Sequence, residues 1–350
     1  MLIGSEKKPK APSFKKARAI EKDLAGTKLR FMAPPHRDPL SNLNRWEEEP
    51  DSLDIFDSKI FQPLEVLDKT GERRIFDSRH VLRAYSSIWE FRGLPLFQGY
   101  CGDLVLMIEI NALEDLPVNE SLFDNRVLAR EVYKQFELTK LLDLHRGRSD
   151  DPLDITPYRW PSYIGPINCQ WLSLQGADWL YLEDQPLLKI EQTINWNIAI
   201  DDKRYLTFRF SFTRSARNAG NPYRIEHRVP KDNFLGLMHQ IMNSLNLELS
   251  PEAAARRAQI QAQPGASDKP LLGCTPEQVK EAKHTLYMWS GRGYQEEGKD
   301  RDDDHRANPE DVAAFIDERI KPRPLPNSYP PGELLKLSPQ SFIEDTQIVQ

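Results

Sequence analysis

The sequence predicts an α+β fold: an antiparallel-rich sheet with at least two packed helices, flanked by a basic N-terminal arm and a Pro-rich, charged C-terminal extension with short helices. Three observations carry that prediction. Apolar and polar residues alternate through 190–213, a helical apolar stripe follows at 234–245, and strand-like runs outnumber helical ones without alternating with them. The last point disfavours a doubly wound parallel sheet, in which strand and helix take turns.

At 350 residues the chain is long enough for one large domain or two modest ones. Residues 1–37 hold ten Lys/Arg against three acids, and residues 38–57 hold one Arg against seven acids. Residues 1–54 therefore read as a basic and then acidic arm, largely disordered. Within it Phe14, Ala17, Ile20 and Leu24 fall near one helical side. The cations Lys7, Lys8, Lys10, Lys15, Lys16, Arg18 and Lys22 then suit an anionic membrane surface or a nucleic-acid backbone. Pro9 and Pro12 delay any helix, and no interleaved aromatics mark a base-stacking surface.

The globular α+β domain is placed at 55–250. Ile190, Ile194, Trp196, Ile198 and Ile200 alternate with Glu191, Thr193, Asn195 and Asn197, and Asp201-Asp202 breaks the run. Leu206, Phe208, Phe210 and Phe212 resume the apolar phase, which makes a hairpin with one face in the core and the other wet. Further strands are expected at 63–68, 73–77, 85–92, 104–110, 171–174, 179–183 and 223–229. Asp232 opens a helix whose Phe234, Leu237, Met238, Ile241, Met242 and Leu245 line one side. Leu128, Val132 and Phe136 mark another helix over 121–144.

Residues 251–350 read as a linker with short helices and a Pro-rich tail, since 11 of the 27 prolines lie there. Thr275-Pro276-Glu277-Gln278 is a capping box, with Val279, Ala282, Leu286 and Trp289 as the stripe behind it. Asn308-Pro309 repeats the start signal ahead of Val312, Phe315, Ile316 and Ile320. Helices this short need a surface to lie on.

Motif chemistry is sparse. Gly293 to Lys299 fits the spacing of a phosphate-binding loop, but Asp300 stands where a Ser or Thr would meet Mg²⁺, and Glu296 and Glu297 would repel phosphate. Asp302-Asp303-Asp304-His305 lacks the alternating acids of a calcium loop. No cofactor or metal is expected. Cys101, Cys169 and Cys274 are odd in number and far apart, so no disulfide framework and no disulfide-linked partner is expected, in keeping with a cytoplasmic location, peripheral to the inner face of a membrane if the arm is used. A spatially assembled hydrolase-like site would have to come from His80, Cys101 and His227 together with acids.

The aromatic loop Tyr158-Arg159-Trp160-Pro161-Ser162-Tyr163 concentrates residue types that dominate interfaces. With Leu286, Trp289 and Phe315 it makes a candidate partner-binding set. The sequence thus favours a non-enzymatic protein-binding module, of the kind that bacterial toxin-immunity and secretion-accessory proteins exemplify. An enzyme and a membrane- or nucleic-acid-binding arm are the alternatives.

Overall fold

The computed structural model describes residues 4–35, 50–67, 73–94, 99–145, 161–187, 191–216, 225–226, 228–290 and 308–321. Its centre is a seven-stranded sheet of β4 (Gln62–Leu67), β5 (Arg73–Arg92), β6 (Tyr100–Leu113), β7 (Tyr163–Leu174), β8 (Ala177–Pro186), β9 (Glu191–Ala199) and β10 (Arg204–Arg214), in spatial order β4-β5-β6-β10-β9-β8-β7. Every neighbouring pair is antiparallel. After β6 the chain crosses through α1 (Asn125–His145) to the far edge, then returns strand by strand until β10 closes against β6. The runs expected separately at 73–77 and 85–92 are one continuous strand, β5.

A second sheet has the order β11-β2-β1-β3, from β1 (Arg18–Leu24), β2 (Thr27–Ala33), β3 (Ser52–Leu53) and β11 (Asn246–Glu248). This corrects the reading of residues 18–33 as part of a disordered arm with a helical side. Thr27, Leu29, Phe31 and Ala33 are buried while Lys28 and Arg30 are exposed, a two-residue period that a helix cannot present to one surface. Ala25 and Gly26 both take positive φ, 51° and 91°, and the Asp23 carboxylate accepts from the Gly26 amide at 2.7 Å. Two successive residues of that kind make the tight turn that matches strand twist, and Gln175-Gly176 does the same between β7 and β8.

The main core lies between the two sheets. Phe31 meets Phe208 edge-on at 6.0 Å, and Trp179 meets the same ring at 5.6 Å. The helix α2 (Asp232–Asn243) completes this face as its stripe predicts, with Phe234 stacked on Phe91 at 4.1 Å and on Phe212 at 5.5 Å. On the opposite face α1 docks Leu128, Val132 and Phe136 with Trp171, Leu180 and Leu182, joined by Ile260 from α3 (Pro251–Gln261).

That opposite face is not wet. Asn111 Nδ2 donates to Thr207 Oγ1 at 3.1 Å, Thr207 Oγ1 to Asn197 Oδ1 at 2.8 Å, and Asn197 Nδ2 to the Leu180 main-chain carbonyl at 3.2 Å, all buried. Polar residues on alternate positions are satisfied across four strands rather than by water. The strand expected at 223–229 is also corrected: Ile225, Glu226 and Arg228 are helical, and the Val229 amide donates to the Ile225 carbonyl at 2.8 Å. A strand there would carry Glu226 away from Arg214, whose guanidinium meets it at 3.2 Å.

The last helices, α4 (Pro276–Ser290) and α5 (Pro309–Ile320), cover the β7 edge. The predicted capping box is formed: the Thr275 amide donates to Gln278 Oε1 at 2.9 Å and the Gln278 amide to Thr275 Oγ1 at 3.1 Å. Asn308 accepts from the Glu310 amide at 2.9 Å. Ala282, Leu286, Val312, Phe315 and Ile316 share one apolar cluster with Ile164 and Leu187, so an otherwise bare sheet edge is shielded. Among the described residues no helix is long and apolar enough to cross a membrane.

Candidate functional site

The pairing of β5 with β6 decides the fate of the sequence-derived catalytic set. His80 lies opposite Ala112, whereas Cys101 sits eleven residues earlier on β6, beside the Gly102–Phe91 pair. At a strand rise of about 3.3 Å per residue the two are roughly 35 Å apart. Cys101 is fully buried, its Sγ faces the Gly99 carbonyl at 4.0 Å, and desolvation pushes its thiol pKa up, away from the thiolate a nucleophile needs. His80 and Cys101 therefore do not form one site, and His227 lies outside the described residues.

Of the partner-binding set, Tyr158, Arg159 and Trp160 lie outside the described residues, as do 293–299 and 302–305. Tyr163 is buried and packs edge-on against Phe136 at 5.7 Å. Leu286 and Phe315 are spent on the chain's own apolar cluster, so they offer no free surface, and Trp289 lies within α4. Lys7, Lys8, Lys10, Lys15, Lys16 and Arg18 are exposed. Lys22 is not: it is buried, with Nζ donating to the Pro50 carbonyl at 3.0 Å and pairing with Asp51 at 3.3 Å. Cys101, Cys169 and Cys274 are free thiols.

The place where exposed apolar and charged groups do converge is a notch of about 180 Å³ at one end of the central sheet, lined by Ser58, Phe61, His80, Ala112, Leu113, Glu114, Lys203 and Arg204. Short-range hydrogen bonds build it. Asp201 Oδ1 accepts from the Lys203 and Arg204 amides, each at 2.7 Å, and its other oxygen takes the Arg204 guanidinium at 2.9 Å. The aspartate that interrupts the alternation in sequence thereby aims two cations at the sheet end. On the other wall the Asp54 carboxylate accepts from the Phe56 amide at 3.1 Å and the Asp57 carboxylate from the Lys59 amide at 3.0 Å. These turns hold Phe56 62% exposed, with the Arg204 guanidinium 4.8 Å from its ring centre.

His80 Nδ1 stands 3.6 Å from Glu114 Oε1, and Lys203 Nζ donates to the Glu114 carbonyl at 3.3 Å. Arg204 Nε is buried without a hydrogen-bond partner. The notch thus presents a rigid aromatic rim, an apolar floor and three basic side chains beside one carboxylate. It holds no cysteine, and among the described residues no three His, Cys, Asp or Glu side chains are grouped to hold a metal ion. Sequence reading singled out only His80 here. Phe56, Lys203 and Arg204 escape it because they come together from segments almost 150 residues apart, and the one local signal is the Asp201-Asp202 turn. Comparison of the chain with protein-family models, with curated proteins and with solved structures gives no match.

Proposed function

We propose that the chain is a non-enzymatic protein-binding module that engages its partner at the notch between Phe56 and the Asp201–Arg204 turn. The observation that carries this reading is Phe56: a large ring held 62% exposed against Arg204, beside a notch with room for one partner side chain. An aromatic anchor next to a half-buried arginine is a pairing that concentrates binding energy in interfaces. The separation of His80 from Cys101 supports the same reading to the extent that these two cannot act together, while His227 lies outside the described residues.

Capture of partners from the native host by the full chain tests it. Phe56→Ala is expected to weaken capture by about 2 kcal/mol, some thirtyfold, with an unchanged unfolding midpoint. Immunity and secretion-accessory roles are instances of this class, and the identity of the captured protein separates them. Equal recovery of the same partners by the parent and by Phe56→Ala overturns the notch as the interface.

A second reading has its own observation: the six cations from Lys7 to Arg18 stay exposed, and no acid lies between them. A polybasic surface of this kind adds about 1 kcal/mol per charge near an anionic leaflet. Sedimentation with phosphatidylserine vesicles, lost at high salt and on replacing Lys15 and Lys16 by Glu, checks it.

A further inference from the structure

Of the four large apolar side chains that stand exposed among the described residues, two flank a single turn: Leu94, 36% exposed, and Tyr100, 41%. The turn joins β5 to β6 at the end of the central sheet opposite the notch. There the Gly93 amide donates to the Gly99 carbonyl at 2.8 Å and the Gly99 amide to the Leu94 carbonyl at 3.1 Å. β10 ends at Arg214, opposite Gly102, so Tyr100 and the turn lie past its last paired residue.

The basic N-terminal segment is fixed to the same tip. The Lys10 amide donates to the Arg92 carbonyl at 2.7 Å and the Arg92 amide to the Lys10 carbonyl at 3.2 Å, and Arg92 is in turn the cross-strand partner of Tyr100. Directly opposed residues share a face, so Lys10, Arg92 and Tyr100 form one exposed row with steps of about 4.8 Å. Gly4 lies so close to this row that a Cβ on it would stand 2.2 Å from the Arg92 carbonyl oxygen. Ser5 and Lys8 then close a turn by mutual backbone hydrogen bonds at 3.0 and 3.1 Å, with Lys7 and Lys8 exposed on it. Beyond Lys10, Ala11 and Phe14 pack against the main core and pin the segment. The neighbouring acids are engaged within the chain. Glu90, 8% exposed, takes the Arg92 guanidinium at 2.6 Å, Glu6 takes Arg228 at 3.0 Å, and Asp103 accepts from the Tyr100 hydroxyl. Glu191, opposite Thr213, is an exposed opposing charge, and Lys7, Lys8 and Lys10 outnumber it.

We infer that this tip docks on an anionic phospholipid bilayer, with Leu94 and the Tyr100 ring in the interfacial layer and Lys7, Lys8 and Lys10 among the headgroups. A tyrosine ring with its polar end suits that depth, and a lysine stem lies along apolar surface while its ammonium stays with the phosphates. The cations supply attraction that salt screens, and the apolar pair supplies the part that salt does not. A nucleic-acid backbone would use the same lysines but not Leu94, and sequence-tolerant binding there calls for several stacking rings rather than one. This inference rests on the polybasic reading above and adds to it an apolar anchor and an orientation. Arg92 and the notch residue His80 lie at the two ends of their shared run on β5, about 40 Å apart at a strand's rise, so docking by the tip leaves the notch facing solvent.

Sedimentation of the full chain with phosphatidylcholine vesicles, alone and with roughly 30% phosphatidylserine, tests it together with insertion into a phosphatidylserine monolayer. The parent is expected to bind only the anionic vesicles and to raise the lateral pressure of the monolayer. Leu94→Ser with Tyr100→Ser is expected to bind about tenfold more weakly, with the salt dependence kept and the pressure rise lost. Lys8→Glu with Lys10→Glu is expected to flatten the salt dependence instead. If the loss of the Tyr100 hydrogen bond to Asp103 unfolds the first variant, Leu94→Ser alone carries the test, with a loss of about threefold. Equal binding and equal pressure rise in Leu94→Ser would overturn the anchor and leave the polybasic reading standing. A parent that ignores anionic vesicles, or that binds duplex DNA in their place, would overturn both.

Discussion

The guanidinium of Arg79, 0% exposed on β5, donates to the Glu131 carboxylate on α1 at 3.3 Å, and so ties the central sheet to the helix that covers it. It also donates to the Glu131 carbonyl at 3.0 Å and to Gln135 at 2.8 Å, while Glu131 takes Arg130 at 2.9 Å and Lys134 at 2.8 Å through its other oxygen. Glu131→Leu leaves the buried Arg79 without its carboxylate and is expected to cost about 3–5 kcal/mol in urea unfolding. The double variant Arg79→Met with Glu131→Leu is expected to recover much of that loss, because two apolar residues replace two desolvated charges. A single variant as stable as the parent would show that Arg79 does not depend on this partner.

Strand phase makes the second prediction. Phe210 is fully buried opposite Leu106 and Ile194, whereas Arg209, next along β10, pairs half-exposed with Glu109 at 2.5 Å. Phe210→Ala is expected to cost about 3–5 kcal/mol by opening a cavity between the sheets. Arg209→Ala, losing a partly solvated ion pair, is expected to cost about 1 kcal/mol or less. Equal losses in denaturant midpoints would contradict the burial of the two residues.

The legibility of this fold tracks the kind of signal each element carries. The β9–β10 pair and α2 were readable because their apolar residues repeat at the period of a strand or a helix, and because local hydrogen bonds set the Thr275 box and the Asn308 cap. The β1–β2 hairpin has equally clear alternation from Thr27 to Ala33, but the charge count of the surrounding arm obscured it. Ser250-Pro251 is a third start signal of the same type, its Ser250 side chain accepting from the Ala253 amide at 3.2 Å at the head of α3. The notch was not readable. Phe56 meets Arg204 from a turn almost 150 residues earlier in the chain, a contact that no local period announces.

A third prediction concerns the α4–α5 pair. Burial alone would raise the pKa of the Glu226 carboxyl, but Arg214 and Arg319 outweigh it and hold the group below the usual carboxylate range. Arg319→Ala is therefore expected to loosen α5, seen as faster amide exchange at Val312, Phe315 and Ile316 while β10 stays protected. Because the folded pKa is depressed, the stability from Glu226 is present above the unfolded value and is lost as pH falls through the folded one. Acid is expected to lower the protection factors of the α5 amides, intrinsic rates being corrected for pH, in the parent and to change them less in Arg319→Ala. Unchanged exchange in that variant would mean that the apolar cluster with Ile164 holds the helix without the ion pair.

His239 supplies a pH dependence of the opposite kind. It is buried on α2, where desolvation pulls its pKa from 6.5 down to about 4, and the charge of Glu183 only partly opposes that pull. The imidazole is thus neutral in the folded protein, while in the unfolded chain it protonates near its ordinary value. Between those two pH values the unfolded state binds more protons, so stability rises with pH across the window and falls as pH is lowered through it. A depression from 6.5 to about 4 corresponds to about 3 kcal/mol lost from pH 7 to pH 4. Glu226 adds to the acid side of this loss, but only below the ordinary carboxylate range. His239→Gln keeps a polar side chain of similar reach and removes the titration. Its unfolding free energy is expected to run nearly flat from pH 7 to pH 5, where the parent's declines. Parallel pH profiles for the two proteins would show that the decline belongs to another group.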